Sequence, residues 1–77
     1  MALISHFDEK RRDRYTIHDE IDATYFAFER DGRSLLQIDT FGRRTRQNPG
    51  RQSQTIQLDR ESALALYKIL QETFAFK

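Results

Sequence analysis

Cysteine and tryptophan are absent from this sequence, proline occurs once and glycine three times. Without cysteine there can be no disulfide framework and no thiolate metal site. The two histidines, His6 and His18, lie outside any cluster with metal-ligand spacing, so neither a metal nor another cofactor is expected. No apolar run approaches the ~18–20 residues that a membrane span needs. The opening Met-Ala-Leu-Ile is too short for a signal-peptide core. These absences predict a cytoplasmic location and no membrane partner. One further absence is local: no acidic residue falls between Asp39 and Asp59.

Seventy-seven residues make one domain, 1–77, with residues 1–14 as a candidate basic N-terminal arm. A chain of this size buries only about 60% of the surface it exposes when unfolded, so its core is marginal. With disulfides and metals removed, oligomerisation remains as the means of compensation. The net charge is only +1, but it is unevenly distributed. Arg43, Arg44, Arg46 and Arg51 fall in the acid-free stretch, whereas Asp19, Glu20 and Asp22 gather elsewhere. Arginine presents a planar fork that suits phosphate and carboxylate.

The pattern of residues predicts an α+β fold: an antiparallel sheet of three to four strands packed on one C-terminal helix. A hairpin over 24–40 turns at Asp31-Gly32. Two registers compete. A two-residue turn pairs Arg30 with Arg33, while a three-residue loop over Arg30-Asp31-Gly32 pairs Glu29 with Arg33. The second sorts the side chains more cleanly and is the expected one. It places Phe26, Phe28, Leu36 and Ile38 on a buried face, and Tyr25, Arg33 and Gln37 on an open one. Residues 53–58 alternate as another strand, with Ile56 and Leu58 on one face. Residues 15–18 (Tyr-Thr-Ile-His) form a candidate edge strand. Asp59 stands where an N-cap is wanted. A helix over 60–74 then follows, with Ala63, Leu66, Tyr67, Leu70 and Phe74 as one apolar stripe. Tyr67 and Phe74 are expected in the core, and the breadth of the stripe leaves apolar surface for a second subunit.

No catalytic signature is present. Ser53 and Ser62 lack a nucleophile elbow, and there is no Gly-rich phosphate loop. The acidic residues at 19–22 do not form a calcium loop. A non-enzymatic binding module is therefore expected. The arginine-rich stretch suits phosphate contacts on nucleic acid, and equally describes a solvated surface loop. The open sheet face, with Tyr25 to stack on a base and Arg33 and Gln37 beside it, suits single-stranded DNA or RNA. It also reads as an ordinary wet face. The alternative partner is a host protein, met by the flank of the helix at Leu64 and Ile69 or by the basic stretch.

Gly50-Arg51, the strand ending Ile56-Gln57-Leu58-Asp59, then Glu61 with Leu66 and Leu70, resembles the single-stranded-DNA-binding domain of positive-cofactor-four-type transcriptional coactivators. The resemblance spans roughly residues 24–74. It implies antiparallel strands followed by a helix, a homodimer joined through that helix, and single-strand binding on the sheet. The chain also looks like the short accessory proteins carried by phages and mobile elements, which would make it an interaction or inhibitor-type domain acting on a host protein.

Overall fold

The computed structural model describes residues 1–42 and 52–77. Four strands and one helix follow in the order β1 (Ala2–Ile4), β2 (Ala23–Arg30), β3 (Arg33–Phe41), β4 (Gln52–Leu58) and α1 (Arg60–Phe74). The class is α+β, as the sequence predicts. The sheet order is β1-β4-β3-β2. β2 and β3 are antiparallel, as are β3 and β4, but β1 runs parallel to β4. The sheet is therefore mixed, and its fourth strand is the apolar N-terminus. Residues 15–18 are not that strand: Tyr15 and Ile17 stand 91% and 97% exposed. β-branched and aromatic residues favour a pleated surface only where a neighbouring strand provides one.

The hairpin takes the register that the side-chain sorting disfavours. Arg30 pairs with Arg33, Phe28 with Leu35, and Phe26 with Gln37. Asp31 and Gly32 both have positive φ, 54° and 76°. That is a type I′ turn, whose twist matches the right-handed twist of the flanking strands. The arginine pair does not prevent it. Two guanidinium groups in water repel by only a few tenths of a kcal/mol, and Arg33 Nη2 lies 3.3 Å from Asp59 Oδ2.

Residues paired across a ladder share a face, and neighbours along a strand alternate. The register therefore sorts the sheet into crossing rows. Phe26, Gln37, Gln57 and Leu3 form one row, with Phe28 and Leu35 on the same face. Tyr25, Ile38, Ile56 and Ala2 form a row on the opposite face, beside Ala27, Leu36, Leu58 and Ile4. The expected grouping of Phe26, Phe28, Leu36 and Ile38 is thus split across the sheet.

Asp59 caps α1 by a capping box. Its Oδ1 accepts from Ser62 N–H at 3.0 Å, and its own N–H donates to Ser62 Oγ at 3.0 Å. Two orphan donors of the first turn are satisfied reciprocally. The helix ends at Ala75, which takes the left-handed conformation and donates to the Gln71 carbonyl. The first turns of α1 lie over the Leu36 and Leu58 side of the sheet, and Ala27, Leu36, Leu58, Ala63 and Leu64 line the cleft between them. Leu58, 2% exposed, is the fully buried hydrophobic side chain among the described residues. Tyr67 and Phe74, expected in the core, stand 53% and 61% exposed.

Candidate nucleic-acid interface

The face turned away from α1 carries a polar network built from β3 and β4. Asp39 Oδ1 accepts from Gln37 Nε2 at 3.0 Å, Gln52 Nε2 at 3.0 Å and Thr55 Oγ1 at 2.8 Å. Gln52 Nε2 also donates to Thr55 Oγ1. Gln57 Nε2 donates to Gln37 Oε1 at 3.0 Å, which extends the network along the row. Gln52 reaches this face through an irregularity in the ladder. Thr40 pairs with Gln54 but Phe41 with Gln52, so Ser53 is the extra residue of a bulge. A bulge of one residue re-aims the side chains that follow it. Thr55 is buried at 6% exposure, and its hydroxyl is satisfied.

Beside the network lies an aromatic pair. The Phe26 and Phe28 rings are 5.6 Å apart between centroids and tilted by 34°. Phe26 keeps 47% of its surface exposed. Arg30 and Arg33 follow on the same face at the hairpin end. Arg33 shares its charge with Asp59, whose carboxyl is held below its ordinary pKa, first by the Ser62 backbone N–H and then by the Ser62 hydroxyl and Arg33. A shallow recess at the β1 end is lined by Leu3, Gln37, Gln52, Thr55 and Gln57. Such a face offers a half-exposed ring, side-chain amides and a guanidinium at one edge. Ring stacking and hydrogen bonding are the chemistry these groups supply.

Of the sequence-predicted site residues, Arg33 and Gln37 share this face, and Tyr25 does not. Tyr25 is 77% exposed, but it belongs to the opposite row with Ile38 and Ile56. The register that pairs Arg30 with Arg33 is the reason. Phe26 takes the position that the sequence reading gave to Tyr25, and Asp39 is a central residue that reading did not single out. The alternation of β3 and β4 carried the signal for Asp39, since Gln37, Asp39, Thr55 and Gln57 fall on one parity. Arg43, Arg44, Arg46 and Arg51 lie outside the described residues.

The described residues hold nine of the thirteen Lys and Arg side chains and all twelve Asp and Glu, a net charge of −3. No three of their His, Asp or Glu side chains gather as metal ligands. No helix among them is long and apolar enough to cross a membrane. Compared with family models, curated proteins and solved structures, the chain matches none.

Proposed function

We propose that this chain is a non-enzymatic module that binds single-stranded nucleic acid on the sheet face opposite α1. The observation that carries the reading is the Phe26–Phe28 pair, half exposed beside the amide row of Gln37 and Gln57. Every base has a π-face, so a ring of this kind captures single strands with little sequence preference. The amides of Gln37, Gln52 and Gln57 are oriented by their mutual bonds and by Asp39, which favours base edges over phosphate as their targets.

Electrostatics divide the work. Because the described residues are net negative, phosphate neutralisation falls to Arg43, Arg44, Arg46 and Arg51 in the acid-free stretch. Neutralising Z phosphates on a single strand gives a salt slope of about −0.7Z. Replacing all four arginines by glutamine is therefore expected to flatten that slope by as much as about 3 and to remove most of the affinity at low salt. A fluorescence-anisotropy titration with a labelled oligonucleotide tests the reading. Binding in the micromolar range that weakens steeply with salt is expected. No binding at micromolar protein and low salt contradicts it.

A protein-interaction reading is favoured by a different region, the apolar side of the sheet and the outer half of α1.

A further inference from the structure

β4 is longer than the strand that covers its outer edge. β1 pairs with Ile56, Gln57 and Leu58 through Ala2, Leu3 and Ile4, whereas β4 begins at Gln52. Among the described residues no strand lies beside Gln52–Thr55 on that edge. Ladder alternation fixes which backbone groups point outward. Arg30 and Arg33 close a two-residue hairpin and exchange both hydrogen bonds. Counted across the sheet from that pair, Ile56 and Leu58 turn their N–H and C=O toward β3, and Thr55 and Gln57 turn theirs toward β1. The parallel register then has Gln57 N–H donating to the Ala2 carbonyl, and Ile4 N–H donating to the Gln57 carbonyl. The next edge donor, Thr55 N–H, lies beyond the paired residues. Met1, at its level, is fully exposed and outside the strand. Toward α1 the edge is closed, because Asp59 N–H donates to Ser62 Oγ at 3.0 Å.

β1 is held there by a tether as well as by contacts. Residues 5–22 form neither helix nor strand, and all but Phe7 are exposed. Ile4, Leu58, Leu36 and Ala27 stand in one row, so three ladders separate Ile4 from β2. That is about 14 Å across the sheet, and Ala23 lies about 14 Å further along β2. The span of about 20 Å matches the r.m.s. length of an eighteen-residue coil, about 21–25 Å. Such a match gives a tethered strand an effective concentration on the order of millimolar. A second copy's β1 offers identical contacts without the tether, so at micromolar protein it loses the competition. Only a segment that pairs further along β4 gains contacts that β1 lacks.

We infer that β1 is a displaceable strap over a strand-addition site, and that the site takes an extended segment of a partner protein lying parallel to β4 and reaching past Thr55. The seated strap shows the chemistry accepted. A small side chain stands at Ile56 and a branched apolar one at Leu58 on the helix side. On the other side Leu3 lies along Gln57, and the recess lined by Gln52 and Thr55 suits a small polar residue ahead of it. Main-chain bonds supply affinity in this mode, and alternate side chains supply selectivity. A very short edge strand is also how a sheet guards an edge against unwanted pairing. The site is the edge of the sheet and stands whether or not the face binds nucleic acid.

A fluorescein-labelled peptide, Thr-Val-Thr-Ala-Leu-Ile-Ser, tests the proposal by anisotropy with the full chain. It should bind, and the peptide lacking its first three residues should bind at least about tenfold more weakly, having lost two or more ladder bonds. Ile4→Pro removes the strap's donor to Gln57. A strap open about 10% of the time or less masks the site, so this variant should bind the longer peptide at least about tenfold more tightly. Amide exchange of the unmodified chain decides if the variant does not fold. At saturating peptide, Ile4 should lose protection, Gln57 should keep it and Thr55 should gain it. No binding to either chain at about 1 mM peptide, the strap's own effective concentration, overturns the proposal. So does equal affinity with and without Ile4→Pro, or protection of Ile4 that persists at saturation. A dimer of the unmodified chain that Ile4→Pro dissociates makes a second copy's β1 the occupant, and overturns it too.

Discussion

The two faces of the sheet are made by the same three long strands, yet they solve opposite problems. Along the row Phe26–Gln37–Gln57–Leu3, the polar side chains satisfy one another, and Asp39 collects three donors at one oxygen. One residue away, the row Tyr25–Ile38–Ile56–Ala2 has almost no hydrogen-bonding capacity of its own beyond one phenol. The first face is stable against water and can exchange water for a ligand. The second gains only by being covered, at about 25 cal/mol per Å² of apolar surface removed from water. A small domain thus separates a self-satisfied polar face from an apolar one by strand parity alone.

The comparison can be broken most severely at Leu58, where α1 meets the apolar face. Leu58→Ala should cost about 3 kcal/mol, the usual range for a buried leucine, as read by urea denaturation at fixed protein concentration. On the polar face, Asp39→Ala strands Gln37, Gln52 and Thr55 and should cost about 2 kcal/mol. Asp39→Asn, which keeps an acceptor, should cost less than half of that. At the hairpin, adding a Cβ to Gly32 meets no atom within 4 Å, so the positive φ alone opposes it. Gly32→Ala should cost about 1 kcal/mol and loosen the pairing that separates the two faces, seen as faster amide exchange at Phe28 and Leu35, the hydrogen-bonded pair of the ladder two residues from the turn pair.

The smallest effect is acidic. Asp59 titrates below its ordinary value because Ser62 N–H and Arg33 favour its charged form. A depressed carboxylate contributes stability that is complete above the unfolded pKa near 4 and lost as pH falls through the lower folded value. Asp59→Asn should flatten that limb of the pH–Tm curve while preserving the cap.

Much of this organisation is written locally in the chain. Asp31-Gly32, the alternation of Ser53–Leu58, the cap at Asp59 and the spacing from Ala63 to Phe74 each declare an element from a few neighbouring residues. The hairpin register was less legible because its arbiter is not local. Arg33 finds Asp59 across 26 residues, and the twist of a type I′ turn outweighs the neatness of the side-chain sorting. β1 pairs with residues more than fifty positions away, and a run of three apolar residues carries no sign of that partner. The site shifted with the register: Arg33 and Gln37 were placed together, while Tyr25 and Phe26 exchanged faces. The apolar stripe was evident in α1, but spacing cannot say which surface covers it.

Anisotropy titrations of Phe26→Ala and Tyr25→Ala with one single-stranded oligonucleotide, at protein concentrations where both variants have the mass of the unmodified protein, put the separation of the faces to its most direct test. Phe26→Ala should lose about 1–3 kcal/mol of binding, the value of one stacked base, while Tyr25→Ala stays within about threefold of the unmodified chain, or about 0.7 kcal/mol. A larger loss at Tyr25 than at Phe26, or equal losses at both, contradicts the account.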